Sequence, residues 1–359
     1  MAERLPLSAL LSQALVAFTI ELDNAWETRI PNRTTRHGGP RSALYATSLR
    51  QWSNFMRVLG PQGLTVRELE RRTRAKPQLD GMRRWGYVTI GPDPTDRRPK
   101  PPERDLLVVP TMAGRRAQAV WKPLPEEIEG RWRERFGVDR VEELRSTLAE
   151  LVTGLGLALP EFLTGVYGGR AAKPGDGPVE VTEARLPLSA LLSQVLQAFA
   201  LDYEQESRAS LCFSADVLRV LDQDGVEVSR LPRLSGVSVE QIRVALGILA
   251  KHGAVVVASD PGARRRQARL TGRGLEGRAV YRAMPGEIEA RWAQRFGADR
   301  LRRLRGLLED LATGGPGGER APLWGGLDPP PGTWRSEIPR PEVLAHYPMP
   351  RQSGHPDGA

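Results

Sequence analysis

A repeat of ten identical residues constrains this chain more than any other feature. The sequence RLPLSALLSQ occurs at residues 4–13 and again at 185–194. A second pair is nearly identical: PEEIEGRWRERFGVDR at 125–140 and PGEIEARWAQRFGADR at 285–300. Self-similarity of this length identifies a duplicated unit, and a repeat decides the architecture before any local pattern is considered. The sequence therefore predicts two copies of one domain.

The spacing of the two markers shows which part of the unit has diverged. The first pair is 181 positions apart and the second 160, so repeat 1 holds 21 more residues between its markers. We predict repeat 1 at 1–164, a linker at 165–184, repeat 2 at 185–314 and a Pro/Gly-rich tail at 315–359. The tail either docks through Trp324, Trp334 and Tyr347 or is mostly unfolded, and its composition favours the second.

Composition narrows the class of protein. The 359 residues are 40% hydrophobic, which is enough to bury cores, and 52 Lys+Arg against 43 Asp+Glu favour a polyanionic partner. The single cysteine, Cys212, excludes an internal disulfide; its neighbours Leu211 and Phe213 predict a buried, inert thiol rather than a redox sensor. With no signal peptide and no long apolar run, a cytoplasmic protein without a membrane span is expected.

Residues that would carry enzyme chemistry are missing from the expected patterns. The four histidines lack metal-ligand spacing, and the sequence contains neither a phosphate-binding glycine loop nor a nucleophile with a companion histidine. We therefore expect no catalytic residue, no cofactor and no metal.

Apolar periodicity and turn signals predict the same order of elements in both repeats. In repeat 1 helices are predicted at 5–29, 45–59, from Thr65 and up to Gly86, followed by strands at 87–90 and 105–111. In repeat 2 helices are predicted at 186–207, 214–221, 227–236 and from Ser238, followed by strands at 254–260 and 267–274. Two further helices, broken at Gly297, close that repeat. Thr65 with Glu68, and Ser238 with Gln241, have the spacing of helix-capping pairs.

Residues 229–274 combine a leucine-spaced first helix, a second helix ending in His252 and Gly253, a hairpin with Asp-Pro and arginines, and the closing sequence LTGRG. In these features they resemble a MarR-type winged-helix transcriptional regulator. Repeat 1 is similar through RWGYVTIGPDPTDRR at 84–98 and PTMAGRR at 110–116. The likeness covers most of residues 1–160 and 185–314.

The resemblance implies a mainly α fold with small β-hairpin wings, in two tandem winged helix-turn-helix domains. In that family the N- and C-terminal helices form a dimer interface, so the two repeats would pack as an internal pseudo-dimer in a monomeric chain. Leu10, Leu15, Trp132 and Phe136 would then be buried near Leu191, Leu196, Trp292 and Phe296. The implied function is a bacterial DNA-binding transcriptional regulator, with double-stranded DNA as partner, a small-molecule effector as a further partner, and no membrane.

The resemblance also implies the residues that would contact DNA. In repeat 2, Ser238, Gln241 and Arg243 lie at the front of the recognition helix, where Arg243 would pair with guanine and Gln241 with adenine. The alternative is that Gln241 only completes the cap and Arg243 is a solvated charge. The wing cations would contact phosphates or a minor groove: Arg264, Arg265, Arg266 and Arg269 in one hairpin, and Arg97, Arg98, Lys100 and Arg104 in the other. A plain solvated loop is the alternative.

Repeat 1 departs from the family pattern. Alignment of MRVL at 56–59 with LRVL at 218–221, and of WGYV at 85–88 with HGAV at 252–255, leaves repeat 1 five residues short between Ala75 and Leu79. Repeat 2 is therefore predicted to read sequence, and repeat 1 to contact phosphates through Arg71, Arg97 and Arg98. The rival hypothesis is a non-catalytic module that has lost sequence-specific DNA binding and now binds an effector or a protein.

Overall fold

Helices make up most of the described chain, and two small antiparallel sheets accompany them, as the sequence predicts. The computed structural model describes residues 4–30, 55–77, 79–163, 186–259, 265–313, 322–333, 336 and 342–348. The predicted linker lies outside the described residues, and so do positions 45–54 of a predicted helix. Among the helices of the described ranges, none combines the length and the apolar composition that a membrane span requires.

Repeat 1 begins and ends with long helices around a small sheet. Its helices are α1 (Leu7–Glu27), α2 (Val66–Thr73), α3 (Leu79–Arg84), α4 (Met112–Trp121), α5 (Leu124–Phe136) and α6 (Val138–Leu155). Its strands are β1 (Leu64–Thr65), β2 (Val88–Gly91) and β3 (Leu107–Pro110), ordered β1-β3-β2 in the sheet. Val88 pairs with Pro110 and Gly91 with Leu107, so the hairpin strands are antiparallel.

Repeat 2 has the same order of elements. Its helices are α7 (Leu188–Glu206), α8 (Leu211–Asp216), α9 (Leu231–Ser235), α10 (Val239–Lys251), α11 (Gly272–Phe296) and α12 (Ala298–Thr313). Its strands are β4 (Val226–Glu227), β5 (Val255–Ser259) and β6 (Arg266–Leu270), ordered β4-β6-β5. We call residues 64–110 head 1 and residues 226–270 head 2.

Several predicted elements are confirmed and others need correction. The N-terminal helices and the break at Gly297, where φ is +98°, are confirmed. The helix predicted at 214–221 is wrong: α8 ends at Asp216 and a short 3-10 turn follows. The two-residue strands β1 and β4 were not predicted, because two residues are too few to show an alternating pattern.

The long end helices of the two repeats pack against each other. Helix α1 contacts α7 and α12, and α7 contacts α6, so each repeat lays its N-terminal helix on the C-terminal helix of the other. The contacts are reciprocal, as an isologous interface requires. All eight apolar residues predicted at this junction are buried: Leu10, Leu15, Trp132, Phe136, Leu191, Leu196, Trp292 and Phe296.

A polar contact at the start of each N-terminal helix crosses between the repeats. Pro6 and Pro187 precede α1 and α7 and supply no side-chain cap. The Glu129 carboxylate accepts a 2.6 Å hydrogen bond from the backbone N–H of Leu188, and Glu289 accepts one of 2.7 Å from Leu7. The free N–H groups of a helix start favour such a carboxylate. The two glutamates are 160 positions apart, as are the second markers, so the duplication has preserved this contact.

Arginines complete both contacts in the same way. Arg145 donates to Glu129 at 2.9 Å and to the carbonyl oxygen of Leu186. Arg305 donates to Glu289 and, at 2.9 Å, to the carbonyl oxygen of Leu5. Burial raises the pKa of Glu129, and the arginine and the Leu188 amide oppose that rise. Each glutamate therefore holds the opposite helix start and is itself held by an arginine of its own repeat.

The aromatic centre of each repeat is also duplicated. Trp132 donates to Glu21 at 2.9 Å, and Trp292 donates to Asp202 at 2.6 Å. Phe18 packs edge-on against Trp132 with ring centroids 5.4 Å apart, and Phe199 packs against Trp292 at 5.3 Å. Edge-to-face pairs of this kind stabilise beyond the area they bury. The two halves of the interface therefore make the same kinds of side-chain contact, in addition to having similar sequences.

The described part of the C-terminal tail lies on the folded core, so the expectation of a mostly unfolded tail is wrong for these residues. Leu323, Leu327 and Leu344 are all at most 3% exposed, and Tyr347 is 2% exposed. Asn24 donates a 3.4 Å hydrogen bond to the carbonyl oxygen of Leu327. The sequence of the tail does not indicate this docking, because its few apolar residues are scattered among Gly and Pro. Trp334 lies outside the described residues.

Candidate nucleic-acid interface

Helix α10 is the longest element of head 2 and begins at a side-chain cap. The Ser238 hydroxyl accepts a 3.3 Å hydrogen bond from the backbone N–H of Gln241, which confirms the predicted cap. Ile242, Ala245, Leu246 and Leu249 are buried and hold the helix against the head. These buried residues lie on one face of α10, so the opposite face is the one available to a partner.

The exposed face of α10 differs in part from the predicted one. The side chain of Gln241 is buried, with 7% of the residue exposed, so it does not present its amide to a partner in this conformation. Val239 is 74% exposed and Val244 41% exposed, and Arg243 lies between them. Gln241 is buried because it lies one turn before the buried Ala245, on the core side of the helix. The valines were missed because apolar residues in a helix are ordinarily assigned to the core.

Arg243 already has a carboxylate partner within its own helix. Its Nε donates to Glu240 at 3.1 Å, and a second guanidinium nitrogen bonds the other carboxylate oxygen. This hydrogen bonding raises the pKa of Arg243, and the attraction of Glu240 adds to the rise. The pair orients the guanidinium but also partly neutralises it.

The described wing arginines of head 2 are exposed. Arg265 lies 3.9 Å from Glu227, a loose ion pair, while Arg266 and Arg269 are exposed on β6. Within the described residues neither Arg266 nor Arg269 takes part in an ion pair. Both guanidinium groups are therefore available to phosphate. Arg264 lies outside the described residues.

Head 1 carries a much shorter second helix. Helix α3 has six residues against thirteen in α10, and it follows Pro77. Helix α2 before it begins as predicted, with the Thr65 hydroxyl accepting from the Glu68 amide at 3.2 Å. The shortening confirms the deficit inferred from the alignment. Arg83 and Arg84 are exposed on α3. They were not predicted as DNA contacts, because the prediction was confined to the front of the helix.

Two of the predicted DNA-contacting arginines of head 1 are paired with neighbouring carboxylates. Arg71 donates to both oxygens of Glu68 at 2.8 Å. Hydrogen bonds from Arg71 and Arg72 lower the pKa of Glu68 to about 2. Arg98 pairs with Asp96 at 2.7 Å and with Asp105 at 3.0 Å. These partners reduce the charge that the two arginines offer to a polyanion.

The other predicted cations of the head 1 wing have no ion-pair partner within the described residues. Arg97, Lys100 and Arg104 are exposed, and no ion pair within the described ranges involves them. Arg98 fixes the loop instead, since its own backbone N–H also donates to Asp96 at 2.9 Å. The structure thus separates the predicted cations of this wing into one that shapes the loop and three that face solvent.

A cavity of about 470 Å³ lies between the end of head 1 and the interface helices. Its wall includes Arg74, Arg145, Glu161 and the aliphatic side chains of α6 and α7. Arg145 is paired with Glu129, Glu161 with Arg57, and Arg74 donates to the carbonyl oxygen of Leu159 at 3.5 Å. The wall of the cavity therefore combines apolar surface with charged side chains that already have partners. A molecule bound there would be held mainly by apolar contact.

Cys212 is buried, as predicted. It is 2% exposed, and its sulfur lies 3.3 Å from the Ser210 hydroxyl. Burial raises the pKa of the thiol far above its ordinary value. The thiolate needed for redox or nucleophilic chemistry is accordingly suppressed.

Comparison with known proteins adds no relative. No family model, curated protein or solved structure matches the chain.

Proposed function

We propose that the chain is a DNA-binding transcriptional regulator built from two tandem winged helix-turn-helix domains packed as an internal pseudo-dimer. The observation that carries the proposal is head 2: a capped thirteen-residue helix with an exposed face, followed by an antiparallel hairpin bearing exposed arginines. A helix of this kind fits the major groove, and a cationic hairpin beside it suits the flanking phosphates. The reciprocal packing of the end helices supports the pseudo-dimer.

The two heads have unequal roles in this proposal. Head 2 reads sequence through α10, where Arg243 offers a guanine contact and Val239 and Val244 offer apolar surface to thymine methyl groups. Gln241 is no longer among the proposed base contacts because it is buried. Head 1 positions the chain on the backbone, since α3 lacks about two turns relative to α10.

The exposed cations without an ion-pair partner form a more selective set of proposed phosphate contacts than the set predicted from the sequence. Within the described residues they are Arg97, Lys100, Arg104, Arg266 and Arg269, with Arg84 of α3 in addition. Arg71, Arg98 and Arg265 have carboxylates nearby that must be displaced or shared before phosphate binds. An arginine without a carboxylate partner releases a counterion on binding DNA and contributes fully to the salt dependence.

The proposal is tested by selection of bound sequences from a random duplex pool with the full chain. We expect a single asymmetric half-site with a loosely specified flank about one helical turn away. A symmetric palindrome bound by one chain would contradict the unequal roles of the heads. Absence of any enrichment, together with a flat salt response, would contradict DNA binding altogether.

A second candidate function is a non-catalytic module that binds a protein. It is favoured by the exposed valines of α10 and by Glu240, which neutralises Arg243. Val239→Lys with Val244→Lys separates the two candidates, because added cations on a DNA-facing helix strengthen non-specific DNA binding, whereas they weaken an apolar protein contact.

A further inference from the structure

Two segments without helix or strand, one after α6 and one in the C-terminal tail, occupy corresponding places in the molecule. Strap 1 is residues 157–163, after α6, and strap 2 is residues 342–348. Leu159 and Phe162 of strap 1 are each 2% exposed, and so are Leu344 and Tyr347 of strap 2. Leu344 and Tyr347 lie 185 positions after Leu159 and Phe162, whereas the similar sequences Pro-Glu-Phe-Leu at 160–163 and Pro-Glu-Val-Leu at 341–344 lie 181 positions apart. The straps therefore correspond in place but not in sequence register.

Each strap ties its own head to the N-terminal helix of the other repeat. In strap 1 the carbonyl oxygen of Pro160 accepts a 3.2 Å hydrogen bond from Gln197 of α7. In strap 2 the carbonyl oxygen of Ala345 accepts one of 2.8 Å from Ser12 of α1. Ser12 and Gln197 belong to the N-terminal helices that carry the first marker. Both straps therefore lie in grooves between a head and the opposite repeat.

The head side of both grooves is formed at the end of the first head helix. Arg74 and Gly236 occupy this position, and both have positive φ, +52° and +80°. Arg74 reaches the Leu159 carbonyl with its side chain. A Cβ on Gly236 would lie 2.7 Å from the backbone nitrogen of Ala345 and closer still to the carbonyl oxygen of Val343. Position 236, which faces strap 2, therefore has to be glycine. The corresponding position beside strap 1 is Arg74, whose side chain binds the strap.

Strap 2 is held mainly by one buried carboxylate. Asp216 accepts hydrogen bonds from the backbone N–H groups of His346 at 2.9 Å and Tyr347 at 3.2 Å. Arg233 of α9 pairs with Glu342. Hydrogen bonds to the main chain, together with pockets for side chains, are one way in which proteins recognise peptides.

The connection to the rest of the chain differs between the straps. Strap 1 follows α6 after Gly156 alone, whereas 28 residues, 314–341, separate α12 from strap 2. A longer tether lowers the effective concentration of a tethered ligand at its site. Strap 1 is thus held directly by α6, whereas the last described buried residue before strap 2 is Leu327, 15 positions before Glu342.

We propose that the groove between head 2 and α1 is a binding site for a peptide segment with the sequence Leu-Ala-His-Tyr, which the chain's own strap 2 occupies exchangeably. Strap 2 then governs how firmly head 2 is attached to the interface helices. The inference rests on the contacts of the strap and holds whether or not the heads bind DNA.

The test uses the full chain and a fluorescein-labelled peptide with the sequence of residues 338–350. In Leu344→Asp the chain's own strap is weakened, so we expect saturable one-to-one binding of the peptide by anisotropy. The wild-type chain should bind it at least about tenfold more weakly, because the tethered strap competes. A peptide carrying the same Leu344→Asp change is the control and should not bind. Equal binding by both chains, or binding of the control peptide, would overturn the proposal.

A glycine pair gives a second test that does not depend on Leu344→Asp folding. Gly236→Ala and Gly253→Ala both place a side chain at positive φ in head 2, but only Gly236 faces the strap, and Gly253 has open space. Hydrogen exchange at the His346 and Tyr347 amides should accelerate at least tenfold in Gly236→Ala and stay near wild type in Gly253→Ala. Equal exchange rates in the two variants would show that the strap does not occupy the groove as proposed.

Discussion

Head 2 has a second helix of thirteen residues that starts at a serine cap, whereas the second helix of head 1 has six residues and follows a proline. At the interface, by contrast, the two repeats keep matching tryptophans, glutamates and arginines in matching contacts. The interface residues of each repeat pack against the other repeat, so a change in one has to be accommodated by both. The heads face solvent and were free to diverge. A duplicated chain can therefore keep two-fold packing while its two outer surfaces take on different roles.

The largest expected effect concerns the matched interface. Trp132→Ala and Trp292→Ala should each lower the free energy of unfolding by about 3–5 kcal/mol, because each removes a buried indole and an edge-to-face partner. Denaturant unfolding followed by circular dichroism measures both. The comparison predicts losses of similar size; a loss above 3 kcal/mol in one variant and below 1 kcal/mol in the other would break the equivalence of the two halves.

The straps should differ in their response to pH. His346 of strap 2 is 5% exposed, and burial, with a smaller contribution from Arg219, lowers its pKa to about 3. Two further groups contact His346: the Tyr281 hydroxyl, 3.4 Å from the imidazole, and Asp216, which accepts from the His346 amide. Arg233 and Glu342 form an ion pair at the start of the strap, and Cys212 and Glu204 lie near Tyr347. Strap 1 contains no histidine.

Because the docked pKa lies below the ordinary value, docking of strap 2 is strongest above about pH 6.5 and weakens as the pH falls. Protonation of the released imidazole should weaken binding of the labelled peptide to the Leu344→Asp chain about 25-fold between pH 7 and pH 5. A peptide with His346→Gln should lose most of this dependence. An equal loss with both peptides would assign the effect to another group.

A smaller effect distinguishes the two heads as sequence readers. Arg243→Ala should weaken binding to the selected site by about 1 kcal/mol and relax the preference at one base pair, a low value for a base contact because Glu240 already pairs with this arginine. Arg83 of α3 is also paired with an acidic residue three positions earlier, Asp80, so Arg83→Ala is a comparable change in head 1 and should weaken all sequences alike. Competition titrations with single-base variants measure both, and a base-specific loss in Arg83→Ala would give head 1 a reading role.

The smallest effect per residue is on salt dependence. Arg266→Ala with Arg269→Ala, and Arg97→Ala with Lys100→Ala, should each reduce the slope of log affinity against log salt by about 1.8, since each removes two phosphate contacts. Titrations of duplex DNA at several salt concentrations measure the slopes. Arg71→Ala is the control and should change the slope less, because Glu68 neutralises that arginine. If only the head 2 pair alters the slope, head 1 does not lie on DNA.

The sequence alone predicted the duplication, the end helices, both side-chain caps, the break at Gly297 and the shortened helix of head 1. These features depend on local patterns, such as apolar spacing, a hydroxyl before a helix, or a missing segment between aligned motifs. The sequence also predicted the burial of Cys212 from its apolar neighbours.

Only the tertiary structure decided which polar residues are available. Gln241 and Arg243 are two positions apart in one helix, yet the first is buried and the second exposed, because the packing of α10 fixes its rotation. Arg97 and Arg98 are adjacent in sequence, yet only Arg98 meets Asp96 and Asp105. The docking of strap 2 joins Tyr347 to Asp216 and Ala345 to Ser12 across 131 and 333 positions. No local pattern encodes such contacts, since they form only when the two repeats have already packed together.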